Sequence, residues 1–468
     1  MISFYPLPLD SPNDNCAMAA MAAIAAIAAI AAIGGFQYMV RFTKKCIDCL
    51  SYDHRDHAYD TAEPPTLTDT ILKTKQLKPI GEAIDNLQAK LNKTIADLDA
   101  KYKGCPKFWY SMLFVFRDVS LIALCVKIAL WALRSTEPIS LKYGTSLIYA
   151  TTYLAPYLAA YLAPYLAAYL AAYLAYSISV GTISSGLWVI GHECGHGAFG
   201  DNWIQNDCVG FVVHSLLLVP YFSWKYSHNK HHKYTNHLVL GETHVPQIRE
   251  QYAALSPTRN AIGEDAFAIL DVVIHLVFGW PLYLFTNASG GRTRSDLKTE
   301  LDSKKGKSHF LSSSQVMKPS WKIELGTAGC VGTICLITYN RWWLWYIGPY
   351  LVVNAWLVTY TWLQHTHPDL PHYGEDKFTF LRGALSTIDR PYPPLIDELH
   401  HHIGTTHVLH HINYSIPHYR AKEYTRAIKD VLGENYLFDP MPIHKALFRT
   451  SKECGYVDSV DGVQYYKR

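Results

Sequence analysis

Paired cysteines are nearly absent from this 468-residue chain. Ten cysteines are scattered along it, and only Cys46-Ile47-Asp48-Cys49 has paired spacing. A lone CxxC falls short of the four ligands of a structural zinc, so neither a zinc module nor a disulfide scaffold is indicated. Unpaired thiols suit a reducing, cytosol-facing setting. Charge of one sign is missing too: the net charge is +3, which leaves no basic footprint for nucleic acid. Charged residues make up only 17% of the chain, against 49% apolar, with 33 tyrosines and 12 tryptophans. That aromatic load suits a protein anchored at two membrane–water interfaces.

The apolar residues are gathered into runs. Residues 16–40 carry no charge and are long enough to cross a bilayer. Their alanine-rich triplet repeat is compatible with a signal anchor, an uncleaved targeting segment or an expansion. Residues 41–110 are charged and soluble in character. Within them Ile84, Leu87, Leu91, Ile95, Leu98 and Tyr102 recur at spacings of three and four, which predicts an amphipathic helix packed on a cytoplasmic domain.

Four crossings are expected. The first covers 111–133, interrupted by Arg117, Asp118 and Lys127; Lys127 must snorkel or face a polar interior. The second lies within 146–190, where Pro156 and Pro164 predict a bent or two-piece helix. The tyrosines of its repeat form a stripe suited to packing at the lipid interface. The third and fourth, 323–339 and 342–363, make a tight hairpin turning at Asn340-Arg341. Residues 211–224 are too short to span. Residues 266–285 are long enough, but an even number of crossings must separate two clusters facing one compartment. They are therefore read as an interfacial helix or a re-entrant hairpin. Eight Lys and Arg residues lie between Asn287 and Lys322, against Arg134, Lys142 and Arg341 on the opposite turns. The positive-inside rule then puts the intervening histidines in the cytoplasm.

Histidine is the anomaly, because 18 of 23 fall within His192–His244 and His365–His418. Three spacings carry chemistry. His192 and His196 form HxxxH, while His228, His231, His232 and His407, His410, His411 each form HxxHH. On a helix these spacings share one face, so each segment can aim two or three imidazoles at a common point. Eight neutral nitrogen ligands exceed what one tetrahedral zinc needs, and two metals sharing them is the economical arrangement. Imidazole alone does not choose among iron, zinc, copper and nickel. A membrane site rich in imidazole and poor in carboxylate suits dioxygen activation, which needs a redox metal. His214, His275, His309 and His444 are read as ordinary packed histidines.

His192-Glu193-Cys194-Gly195-His196 also matches HExxH, which raises a membrane zinc metalloprotease as a reading from a different class. It leaves the HxxHH histidines without a role, and Gly195 and Gly197 weaken the helix it requires.

The segments GHECGHGAFG (191–200), VPYFSWKYSHNKHHKYTNH (219–237), GWPLYLF (279–285), WLQHTHPDLPHY (362–373), RGALSTIDR (382–390) and THVLHHINYSIPHY (406–419) resemble the membrane fatty acid desaturases, and among them the Δ12 (oleate) desaturases of fungi and plants. The resemblance covers roughly residues 105–468, with Gly200 in place of the family's usual serine. It implies an all-α integral membrane protein with about four transmembrane helices and a cytoplasmic helical cap holding a di-iron site. It implies dioxygen as co-substrate, a fatty acyl lipid as substrate, and location in the endoplasmic reticulum membrane. Cytochrome b5 and its reductase are the implied electron source, as separate proteins, since no HPGG haem signature occurs. By similarity the eight box histidines are iron ligands, joined by His365 or His367. The expected organisation is an alanine-rich segment 1–40, a soluble region 41–110 and a desaturase domain 111–468. The implied reaction converts oleoyl to linoleoyl chains, with a Δ15 (ω3) desaturase or a fatty acid hydroxylase as alternatives on the same scaffold.

Overall fold

The structure is a computed structural model that describes residues 81–105, 107–135, 151–253, 256–291, 307–314 and 320–468. The apolar run 16–40, the CxxC at 46–49, Lys142 and the lysines at 298, 304 and 305 lie outside them. So do both expected segments up to residue 80.

Nearly all of the regular structure is helical. The longer helices are α1 (Gly81–Lys101), α2 (Lys107–Ser135), α3 (Thr151–His196), α4 (Trp203–Leu216), α5 (Tyr221–Lys233), α6 (Glu264–Thr286), α7 (Trp321–Tyr339), α8 (Trp343–His365), α10 (His418–Leu432) and α11 (Ile443–Glu453), with the short α9 (His407–Ile412) between α8 and α10. Two strands, β1 (His372–Tyr373) and β2 (Val463–Gln464), pair antiparallel with His372 opposite Gln464, and so tie the C-terminal tail to the chain beyond α8.

The amphipathic expectation for α1 holds. Leu91 and Ile95 are buried, and they join Val408, Leu409, Tyr424 and Ile428 in one apolar cluster. The helix thereby braces the third histidine segment.

α3 forms the axis against which α2, α4 and α8 pack. Gly181 and Gly348 permit the close approach of α3 and α8. A methyl at Gly181 would meet Val352 Cβ at 2.5 Å, and one at Gly348 would meet Ser177 Oγ at 2.2 Å. Of the two expected forms, the two-piece helix is not found, since 46 residues continue without interruption. Each proline removes one i→i−4 bond, and the surrounding Ala, Leu and Tyr carry the ladder past it. The end of the tyrosine stripe also departs from expectation. Tyr173 and Tyr176 donate hydrogen bonds to the carbonyls of Leu344 and Trp345, at 2.8 and 2.7 Å, and so fasten α3 to the first turn of α8.

By length and composition, Leu166–His196 and Glu264–Thr286 can each cross a membrane; the pair α4–α5, bent by 106°, could make a third span if taken as one. Leu124, Ile128, Trp131, Leu170, Leu174, Ile178, Ile269, Val273 and Phe278 point outward from α2, α3 and α6, as a membrane protein requires. α6 is one continuous helix, which removes the re-entrant hairpin as a reading of 266–285. The charges within α2 are reconciled in two ways. Arg117 binds Asp118 and Glu398, and Asp118 is fully buried against His401. Lys127 faces outward, which leaves snorkelling rather than a polar interior. α7 and α8 do turn at Asn340-Arg341, with Arg341 in the left-handed region at φ +57°. Beyond the turn they diverge, α7 packing on α4 and α5, and α8 on α3 and α6.

Candidate metal centre

Four elements present the clustered histidines. α3 carries His192 and His196 in its final turns, and Gly197 ends the helix at φ +72°, a conformation only glycine adopts without strain. The N–H groups of Gly197 and Ala198 return to the carbonyls of Cys194 and Glu193, at 3.1 and 3.0 Å. α5 carries His228, His231 and His232, and α9 carries His407, His410 and His411. His365 is the last residue of α8.

The imidazoles divide into two sets. His192, His196, His228, His232 and His410 form one; His231, His365 and His411 form the other, with the ligand nitrogens of each set within 4.8 Å of one another. His407 joins the second set, its Nε2 lying 3.0 Å from His365 Nε2. Helix geometry explains the division. Residues four apart point about 40° apart, whereas consecutive residues diverge by about 100°. The pairs 192/196, 228/232 and 407/411 therefore stay together, while 231/232 and 410/411 are split. The expectation of one common point for each segment is corrected accordingly: each HxxHH segment serves both sets.

Within the sets the ring nitrogens face one another. His228 and His232 meet at 3.1 Å, His232 and His410 at 3.1 Å, and His231 and His365 at 3.2 Å, in each case through Nε2. His365 Nε2 thus faces the Nε2 atoms of both His231 and His407, and a single proton can serve only one such contact. Both nitrogens of His196 and Nε2 of His411 are buried without a hydrogen-bond partner. Buried lone pairs converging on two points fit a pair of metal ions, and all nine donors are of one chemical type. Burial also holds the α9 imidazoles neutral, the form that binds metal. It pulls His410 down to about 3 and takes His407 and His411 well below the usual histidine value.

Outer contacts orient these rings. His411 donates through Nδ1 to the Thr235 hydroxyl at 3.1 Å, and that hydroxyl donates to the His231 carbonyl at 2.8 Å, so one threonine links both HxxHH segments. Asp389 is buried beneath α9, where it accepts the Val408 N–H at 2.9 Å and the Tyr436 hydroxyl proton. It caps the first turn of α9 and fixes its entry. Glu193 accepts the His418 N–H at 3.0 Å through Oε2, at the start of α10, while Oε1 lies 3.8 Å from His192 Nδ1.

All eight box histidines lie in the two sets. Of the two candidates for a ninth, His365 is in the second set, whereas His367 points to Asp439 at 3.8 Å and accepts the Asp369 N–H. The four histidines read as packed stay outside both sets. His214 meets the Trp188 carbonyl at 3.1 Å, His309 meets the Ser227 hydroxyl at 3.1 Å, His275 pairs with Asp271 at 3.0 Å, and His444 lies on α11. Sequence reasoning missed Thr235, Asp389 and the placement of Glu193. Thr235 and Asp389 lie inside segments that stood out, YTNH and STIDR, but nothing local says which backbone groups they reach.

Trp362 and Thr366, which flank His365 in sequence, line a cavity of about 530 Å³ together with His244, Phe267, Val460 and Tyr466. Cys454, Gly455, Val460 and Tyr466 of the C-terminal tail form one side of this cavity.

Comparison with known proteins agrees with this geometry. The fatty acid desaturase family model matches residues 167–440. The Δ12 fatty acid desaturase of Mortierella alpina is 40% identical over 316 residues, covering 63% of this chain and 76% of the relative. The corresponding enzyme of Calendula officinalis is 40% identical, covering 61% and 75%. An oleoyl-12-hydroxylase of Ricinus communis is also 40% identical, covering 61% and 73%. Nine histidines gathered in two facing sets, on the same stretch that the family model spans, leave one assignment: the chain is a member of the fatty acid desaturase family, an oxidoreductase of the membrane.

Proposed function

We propose that this protein is a Δ12 acyl-lipid desaturase of the endoplasmic reticulum that converts oleoyl to linoleoyl chains, with two irons held by nine histidines. His192, His196, His228, His232 and His410 hold one iron; His231, His365, His407 and His411 hold the other. The observation that carries this reading is the division of the imidazoles into two facing sets, in a chain whose relatives act on fatty acyl lipids. Bound iron supplies the redox chemistry that activates dioxygen. Overall, one dioxygen, two electrons and two protons remove two hydrogens from adjacent carbons and leave two waters. The protein's own part is to keep the imidazoles neutral, to orient His411 through Thr235, to fix the entry of α9 through Asp389 and to join α3 to α10 through Glu193.

The protease reading loses its base. Glu193 is engaged by the start of α10 rather than held free to activate a water.

Residues 111–468 form the catalytic domain, with α1 docked on its cytoplasmic cap. The histidine sets, the 222–322 stretch and the tail after His365 face the cytoplasm, where cytochrome b5 and its reductase deliver electrons. About four helices cross the membrane, α2, α3, α7 and α8, with α6 lying at the interface.

The Ricinus relative supports a second outcome at the same carbon, hydroxylation in place of desaturation. Expression in a yeast lacking polyunsaturated fatty acids, followed by fatty acid profiling and iron analysis, tests the proposal. Linoleate with about two irons per chain is expected. A 12-hydroxy product, a double bond at carbon 15 only, or zinc in place of iron would overturn it.

A further inference from the structure

The two imidazole sets differ in their access to the protein surface. Three aromatic side chains outside the sets make ring contacts with the clustered histidines among the described residues. Trp188 stacks on His192, Trp224 touches His192 and His228, and Tyr414 lies 4.7 Å from the His196 ring and 5.1 Å from the His232 ring. Trp188 and Trp224 are 5% and 2% exposed, whereas Tyr414 is 37% exposed. Gly197, Asn229 and Lys233, which directly follow His196, His228 and His232 in sequence, are exposed as well. In the second set His231, His365 and His411 are all buried.

We infer that Tyr414 is the contact through which a one-electron carrier protein reaches the first metal set. The inference rests on the proposed function, because only a redox metal pair needs such a contact. A ring packed on two imidazoles at one edge and open to solvent at the other bridges the distance between a docked redox group and the metal. Each encounter oxidises the carrier by one electron and reduces the metal pair by one, and two encounters supply the two electrons of the reaction. The carrier approaches over Gly197, Asn229 and Lys233, and the exposed ammonium of Lys233 favours an acidic partner surface.

The test uses full-length, iron-loaded protein in nanodiscs, with the soluble haem domain of cytochrome b5 as the probe. Three quantities are followed without substrate: binding of the haem domain, the rate at which its reduced haem is reoxidised, and iron content. For Tyr414→Ala, binding and reoxidation at subsaturating donor should both weaken about tenfold, as for truncation of an aromatic contact at an interface centre. Iron content and reduction by dithionite should match wild type. Tyr414→Phe keeps the ring and should behave as wild type. Wild-type rates in Tyr414→Ala with iron retained would overturn the inference, and so would loss of iron from that variant, which would make Tyr414 a metal-retaining residue. Iron-loaded wild type that never reoxidises the donor would overturn the proposed function, and this inference with it.

Discussion

Glu193 accepts the His418 backbone N–H at 3.0 Å, which joins the end of α3 to the start of α10 across 225 residues of sequence. The carboxylate is buried, and its other oxygen stands behind His192. It holds the two helices together through that bond. Glu193→Gln keeps an acceptor oxygen and should retain iron and most activity. Glu193→Ala leaves the N–H unsatisfied and should cost roughly 1–3 kcal/mol of stability. Thermal unfolding and iron content of the purified variants check both. Total loss of activity in Glu193→Gln with iron intact would instead point to Glu193 as a working base.

His365 and His367 are two residues apart and serve different neighbours. His365→Ala should lose iron and abolish product, because it removes the nitrogen that faces both His231 and His407. His367→Ala should keep iron and more than half of the activity, with a stability cost of about 1 kcal/mol for a lost polar contact. The ratio of iron to protein in the two variants decides the matter. Equal losses would show that the second set is not assembled as described.

Asp397 holds a strained turn, since His401 and His402 both have positive φ, at +53° and +63°. Burial by itself would raise the Asp397 pKa. Hydrogen bonds from His402 and Thr405, with the Lys422 ammonium at 2.9 Å, outweigh it and take the carboxyl from 3.8 down to about 2. A depressed folded-state pKa means stability that is present above the unfolded value and is lost as the folded value is approached. The contribution should be complete at neutral pH and fade between about pH 4 and pH 2, at roughly 1–2 kcal/mol after allowing for solvent screening. Unfolding temperatures of wild type and Asp397→Asn should differ at pH 7 and converge over that window. A gap that persists below pH 2 would mean another cause.

Asn287 and Asn413 both stand in glycosylation sequons, Asn287-Ala-Ser and Asn413-Tyr-Ser. Asn287 is buried at the end of α6, with φ +55°, while the Asn413 side chain accepts hydrogen bonds from Ser415 N–H and Oγ–H. If the histidine sets face the cytoplasm, as proposed, neither should be modified. A sequon engineered at the Asn340-Arg341 turn should be glycosylated. Glycosidase-sensitive gel shifts read both results, and a glycan at Asn413 would reverse the orientation.

Most of the site could be read from the chain because its parts are local. Spacings of three and four place each histidine group on one helix end, and the same periodicity marks the buried face of α1, where Leu91 and Ile95 pack. Glycine after His196 and the apolar runs before the first two boxes are local signals too. The pairing of imidazoles into sets is also implicit in helix pitch, though it becomes definite only when the partner helices are in place. Tertiary structure decided what depends on groups distant in sequence. Whether His365 or His367 completes the second set follows from where α8 stops, with His365 in its last turn and His367 already beyond it. The fastening of α3 to α8 through Tyr173 and Tyr176 depends on carbonyls 171 and 169 residues away in sequence. Glu193, Thr235 and Asp389 gained their roles because a buried polar atom must find a partner, and the partners came from other elements: His418, His411 and Val408. Sequence determined which residues can bind metal, while the fold decided which of them meet, since convergence on a point requires several helix ends to be fixed at once.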